Sequence, residues 1–264
     1  MDLEGRTALV TGANRGIGRA IAQELATRPL GLLLAGSRSP QDSDPPAAPT
    51  GGAREVRSVG MDLSSRESIE HSCRALAELG AIDLLVNNAG LMTGGLLEEQ
   101  DPDDVYAMFQ VNLVAVTDLT ARVLPGMLER GRGRIVNNAS ISGYAHFPAA
   151  STYAAAKSGV VAFSESLRRE LRGTGVSVLH LVTPGVQTDM MDATQEVYGG
   201  HMDVSDWDVQ EPEEWAAKVV SAIESDAHIL GPGGRTAIAK LASRGPAFLV
   251  DAISRQMFSR QARD

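Results

Sequence analysis

Aromatic residues are scarce in this 264-residue chain, at 4% of a sequence that is 43% hydrophobic. That composition argues against a surface that binds by aromatic stacking, and its Ala, Gly, Leu and Val suit helices packed closely on a sheet. Cys73 is the sole cysteine, which excludes an internal disulfide and a thiolate zinc cluster and leaves a small helix residue with an expected place in the core. Positive charge is also short. The net charge is −9, opposing nucleic-acid binding, so the arginine-rich stretches "ERGRGR" (129–134) and "SLRRELR" (166–172) read as solvated faces. His71, His146, His180, His201 and His228 form no ligand-spaced motif, and neither H-E-x-x-H nor G-x-S-x-G occurs. Metal catalysis and serine hydrolysis therefore find no support. No uninterrupted apolar run approaches the length of a transmembrane segment, and "MDLEGRTALV" lacks the basic and apolar regions of a signal peptide. A cytoplasmic protein is expected, with membrane-surface contact left open only for an amphipathic C-terminal segment.

What is present is a rhythm. Apolar runs bounded by glycine or polar turns fall at residues 7–10, 32–35, 84–86, 134–137 and 176–181, with helix-period segments between most of them. Strand, helix and strand repeated in this way imply a doubly wound α/β domain with a parallel sheet, and at this length residues 1–264 are expected to form one domain. Residues 39–52, "SPQDSDPPAAPTGG", carry four prolines and little apolar material, so they read as a surface loop after the second strand.

"TALVTGANRGIGRAIAQEL" joins a buried strand to an amphipathic helix through Gly12, Gly16 and Gly18. Glycines permit a tight turn and let backbone N–H groups approach an anionic pyrophosphate at the positive end of the helix. The second strand then ends in "GSRS" (36–39). An NAD site offers a carboxylate there, whereas an NADP site needs positive charge for the 2′-phosphate. Ser37 and Arg38, with Arg15 in the glycine turn, favour NADP(H); NAD(H) is the alternative.

"STYAAAKSG" (151–159) sets Tyr153 and Lys157 four apart, on one face of a helix. An ammonium there favours the phenolate, so the tyrosine pKa is expected to fall. Taken in order, "TGANRGIG", "MDL" (61–63), "NNAG" (87–90), "VNL" (111–113), "NASISG" (138–143), "YAAAK" and "PGVQT" (184–188) resemble the short-chain dehydrogenase/reductase family over residues 5–225. The resemblance implies a Rossmann fold and an oxidoreductase whose catalytic set is Ser140, Tyr153, Lys157 and Asn112. It further implies a cofactor site that includes Gly12, Asn14, Arg15, Gly16, Ile17 and Gly18, with Asp62 and Leu63 at the adenine, and Asn88, Ala89 and Gly90 along the cofactor. Lys157 would hydrogen-bond the nicotinamide ribose, and Pro184, Gly185, Val186 and Thr188 would hold the carboxamide.

The implied reaction is NADPH-dependent reduction of a ketone or aldehyde, or the reverse oxidation. Tyr153 would serve as general acid, Lys157 as its electrostatic tuner, Ser140 as partner of the carbonyl oxygen and Asn112 in a proton relay. An NAD-linked alcohol dehydrogenase and a non-catalytic NADP(H)-binding sensor are the alternatives. A sensor could dispense with Ser140, Tyr153 or Lys157, and all three are present. Residues 186–210 are expected to form a substrate flap, with Met190, Met191, Tyr198, Met202 and Trp207 lining the pocket, and His146 and Phe147 are weighed as cleft residues. Residues 228–264 depart from family members that end in an apolar strand and a glycine pair. They read instead as an extension with one or two amphipathic helices, resembling members that act on lipophilic alcohols and ketones. A homodimer or homotetramer through the helices bearing Asn112 and Tyr153 is the expected assembly.

Overall fold

The computed structural model describes residues 1–42, 44–198, 200–202 and 207–232. Seven strands form one parallel sheet: β1 (Thr7–Thr11), β2 (Leu32–Ser37), β3 (Val56–Gly60), β4 (Leu84–Asn87), β5 (Gly133–Asn138), β6 (Val176–Leu181) and β9 (Ile229–Leu230), in the order β3-β2-β1-β4-β5-β6-β9. The connecting helices are α1 (Gly16–Ala26), α2 (Arg66–Ala77), α3 (Pro102–Phe109), α4 (Ala115–Glu129), α5 (Ser151–Glu170) and α8 (Pro212–Glu224). Two short helices, α6 (Asp189–Asp192) and α7 (Thr194–Tyr198), stand outside this frame, as does a small parallel pair, β7 (Gly185–Val186) with β8 (Val209–Gln210).

Each inner strand is covered on both faces, which is why these strands read as continuous apolar runs rather than alternating ones. Val10, Val86 and Leu179 face a cluster with Ile21 and Leu25 of α1 and Trp215 and Val219 of α8. Leu9, Leu85 and Ile135 face the other side, against Leu119 of α4 and Leu167 of α5. The order reverses between β1 and β4, and at such a switch point the loops leaving the carboxyl ends of the strands part to leave a crevice.

Two strands of the seven-stranded sheet were not anticipated from the sequence. β3, "VRSVG", pairs with β2 at the sheet's edge and is only half-covered, so its apolar signal is weak. β9 corrects the expectation that the chain departs from an apolar final strand: Ile229 and Leu230 pair in parallel with His180 and Leu181. The helices expected beyond it lie outside the described residues. The loop at residues 39–52 is exposed for most of its described length, but Pro46 is buried and its end is anchored, with Ala53 N donating to Ala26 O at 2.9 Å.

Residues 102–129 are helical throughout, since a π-helical turn (Gln110–Val114) joins α3 to α4. With a mean hydropathy of 1.3, this stretch is long and apolar enough to cross a membrane by composition. It instead buries Met108, Asn112, Ala115 and Leu119, as a core helix does.

Candidate active site

The carboxyl end of β1 runs into the glycine turn. Gly12 and Gly16 have φ of +67° and +52°, values that favour glycine. Gly18 is required by packing instead, because a Cβ there would lie 2.2 Å from Gly12 O and 2.4 Å from Asn88 Nδ2. Arg15 occupies the N-cap of α1 without a side-chain cap, and no acid stands in the first turn. The first N–H groups of an 11-residue helix are thus presented to the crevice with no competing carboxylate, a fit for pyrophosphate. Asn14 and Ile17 are half-buried in the same turn, Ile17 packing on the core.

At the end of β2, Ser37 is buried and Arg38 is exposed immediately beyond it. Arg15 reaches across the crevice to Asp189 at 3.5 Å, and both side chains are largely exposed. Asp62 caps its own turn by accepting from Ser64 N at 2.9 Å, and the Leu63 carbonyl accepts from Gln110 Nε2 at 3.3 Å. Asn88 and Ala89 are pinned to β1, their N–H groups donating to Thr11 Oγ1 at 2.9 and 3.0 Å. The segment from Pro184 carries β7, and Thr188 caps α6 by accepting from Met191 N. Thr188 also closes on the glycine turn, since a Cβ on Gly16 would meet its Cγ2 at 3.1 Å.

Ser140, Tyr153 and Lys157 come together beside this crevice. Ser140 follows β5 and accepts from Ser142 N at 3.1 Å, and its hydroxyl is near enough to the Tyr153 phenol to favour the phenolate. Lys157 is buried, with Nζ 5.7 Å from the Tyr153 ring centre and donating to Asn138 O at 2.9 Å. Burial pushes the Tyr153 phenol up to about 12, outweighing the Ser140 hydrogen bond that pulls it down. Burial also pushes the Lys157 ammonium down to about 8. The expected fall in the tyrosine pKa is therefore reversed in the protein by itself: desolvation of both groups dominates over their attraction.

Asn112 sits in the π-helical turn, 1% exposed, with both amide atoms on the Leu91 backbone: Oδ1 accepts from Leu91 N at 2.7 Å and Nδ2 donates to Leu91 O at 2.8 Å. A Cβ at Gly90 would lie 3.3 Å from Asn112 Oδ1 and 3.8 Å from Lys157 Nζ, so Gly90 is the point where the two side chains converge.

Two residues beyond the expected set organise the site. Thr11 gathers the end of β4, and Asn138 joins three segments, donating to Asn88 Oδ1 at 2.9 Å and accepting from Thr183 while its carbonyl holds Lys157. In the flap, Tyr198 and Met202 are buried with Ala149 and Ala150, and Met92, Phe147 and Trp207 pack on them. Met190 and Met191 stay outside that cluster, and His146 is exposed, its Nε2 3.2 Å from Ser158 Oγ. Among the described residues no group of three or more His, Cys, Asp or Glu is placed to hold a metal ion. Two surface hollows of about 490 and 480 Å³ include none of Ser140, Tyr153 or Lys157; the first opens at Gly133 and Val176, where β5 and β6 begin.

A doubly wound sheet, an uncapped helix behind a glycine turn, and half-buried Ser140 and Tyr153 grouped with buried Lys157 define a nucleotide-dependent oxidoreductase. The chain belongs to the short-chain dehydrogenase family, whose model matches residues 6–199. It is 37% identical over 206 residues to the 3-oxoacyl-[acyl-carrier-protein] reductase FabG of Vibrio harveyi, covering 74% of this chain and 80% of the relative. It is 35% identical over 188 residues to the ketoacyl reductase HetN of a Nostoc species, covering 69% and 64%. Among solved structures, a short-chain dehydrogenase from Burkholderia cenocepacia in complex with NADP matches with a TM-score of 0.80 at 25% identity, covering 96% of this chain and 99% of the other. One from Sphingobium yanoikuyae in complex with NADPH matches at 0.70 and 26%, covering 95% and 94%. The protein is an NAD(P)-dependent oxidoreductase acting on the CH–OH/C=O couple.

Proposed function

We propose that the protein reduces a ketone or aldehyde to the alcohol with NADPH, and catalyses the reverse oxidation, using Tyr153 as the acid–base group. The observation that carries this reading is the grouping of half-buried Ser140 and Tyr153 with buried Lys157 beside the glycine turn. Bound NADPH supplies the hydride. Ser140 orients the substrate oxygen, and as that oxygen gains charge it takes the proton of the Tyr153 hydroxyl. Lys157, held on Asn138 O, places a positive charge beside the phenolate that results. Its low pKa keeps a second protonation change within reach of neutral pH. The relay role of Asn112 narrows: with its amide committed to Leu91, it serves by holding Gly90 and Leu91 against Lys157.

Arg38 and Arg15 supply the charge that a 2′-phosphate requires, and no carboxylate ends β2. The relatives named for 3-oxoacyl substrates support a carbonyl substrate in the direction of reduction. Residues 1–264 act as one oxidoreductase unit in this reading, working in the cytoplasm. It associates as a dimer or tetramer through α4 and α5, the helices nearest the Asn112 and Tyr153 positions.

The test is nicotinamide absorbance with a panel of ketones, aldehydes and secondary alcohols. Tyr153→Phe should lower kcat by about 100-fold or more; full activity in that variant removes the acid assignment. In the same assay Arg38→Asp should shift preference from NADPH toward NADH, and an unchanged ratio would remove Arg38 from the cofactor site.

A further inference from the structure

The flap brings a second phenol to the segment that leads into α5. Tyr198 ends α7 and is 3% exposed. Its hydroxyl donates to Thr93 O at 3.2 Å, and its ring lies directly against Gly94, where a Cβ would come within 2.1 Å of Tyr198 Cε1. The strip from Thr93 to Gly95 is itself tied to the start of α5. The Thr93 and Thr152 hydroxyls are 3.0 Å apart, Thr152 donates to Gln100 Oε1 at 2.7 Å, and Gly95 N donates to Ala149 O at 2.9 Å. Thr152 directly precedes Tyr153. A flap side chain is therefore anchored to the backbone that presents the proposed acid. Burial first, and then the charge of Tyr153, hold the Tyr198 phenol well above its ordinary range, as expected of two hydroxyls that sense one another.

The surroundings of Tyr198 are apolar. The Trp207 ring centre is 6.4 Å from that of Tyr198 and 5.9 Å from that of Phe147, and Met202 is fully buried beneath them. At the rim His201 Nε2 lies 3.4 Å from Glu99 Oε2.

We infer that Tyr198 is the specificity-determining residue of the substrate side: its ring fills the space beside Tyr153 that a substrate substituent must enter, and so selects neutral carbonyl compounds bearing a flat apolar group. This rests on the function proposed above. Moving the ring frees the Thr93 carbonyl and opens the contacts with Gly94 and Trp207. A flat apolar group restores those contacts, whereas a small polar ketone does not. An anionic substituent would be desolvated among these apolar rings.

The full-length protein and NADPH, assayed with butanone, acetophenone, 2-acetylnaphthalene and 4-acetylbenzoate, test the assignment. The wild type should favour acetophenone over both butanone and 4-acetylbenzoate in kcat/KM. Tyr198→Ala should raise the ratio of 2-acetylnaphthalene to butanone by about tenfold or more, whereas Tyr198→Phe, which keeps the ring, should leave it within about threefold. Tyr198→Leu serves the same purpose if the alanine variant does not fold. An unchanged ratio in the truncated variant overturns the proposal.

A second readout needs no turnover. The chain has two tryptophans, and Trp215 is 1% exposed, so acrylamide quenching reports Trp207. Tyr198→Ala should raise the quenching constant, and no change would overturn the proposal even if the wild type reduces none of the four ketones. Full activity in Tyr153→Phe would instead sink the acid assignment and leave the Tyr198 ratios readable.

Discussion

Lys157 is a buried ammonium whose pKa is pushed down to about 8 from 10.5. The unfolded chain holds that proton more tightly than the folded one, so below pH 8 the folded state carries the full cost of a buried charge. Between pH 8 and 10.5 the cost fades, and stability rises with pH. Tyr153 acts in the opposite sense, because its raised pKa lowers stability above pH 10. In the window from pH 8 to 10, wild type should therefore gain on Lys157→Met by up to about 3 kcal/mol. Denaturant melts at both pH values check this, and a constant difference would show that Lys157 is not desolvated as described. The i, i+4 spacing of Tyr153 and Lys157 was legible in the sequence, but the sign of the tyrosine shift was not. Spacing reports which groups meet and says nothing of how much water their neighbours exclude. Thr11 and Asn138 escaped for a related reason. Both lie inside the recognised motifs, yet their role depends on strand ends separated by 77 and 50 residues meeting at one edge.

At the scale of elements, the first turn shows how closely strand, turn and helix are matched. Gly18→Ala adds a Cβ 2.2 Å from Gly12 O, in the turn that shapes the anion site, and 2.4 Å from Asn88 Nδ2, just past β4. The variant should lose about 1–3 kcal/mol and melt several degrees lower. NADPH binding, followed by fluorescence, should weaken in parallel. A variant with wild-type melting and binding would mean the turn relaxes freely. This unit was readable because a strand, glycines and an amphipathic helix each leave a local signature. β3 and β9 leave little: one is a half-covered edge strand and the other has two residues, defined by its partner β6 rather than by a pattern of its own. The π-helical turn at Asn112 is equally silent, since "VNL" looks helical whichever carbonyl its amides choose.

For the whole molecule, the helical stretch from α3 to α4 leaves Tyr106 78% and Val114 47% exposed. Apolar side chains this open, on the helical stretch that leads into α4, one of the two helices proposed for subunit contact, suit burial against a second copy. Sedimentation should give a dimer or tetramer for the wild type. Tyr106→Glu combined with Val114→Glu should shift it toward the monomer; an assembly indifferent to both charges would move the contact elsewhere.

The central strand carries a further consequence, for the order in which the chain can fold. β1 is flanked by β2 and by β4, with Ala8 opposite both Leu33 and Leu84. β1 therefore waits for more than seventy later residues before its second edge is covered. Parallel pairings of this range form slowly because the loop must close before the contacts reward it. During synthesis the nascent β1, with Leu9 and Val10 bare, is a segment open to a chaperone until β4 follows.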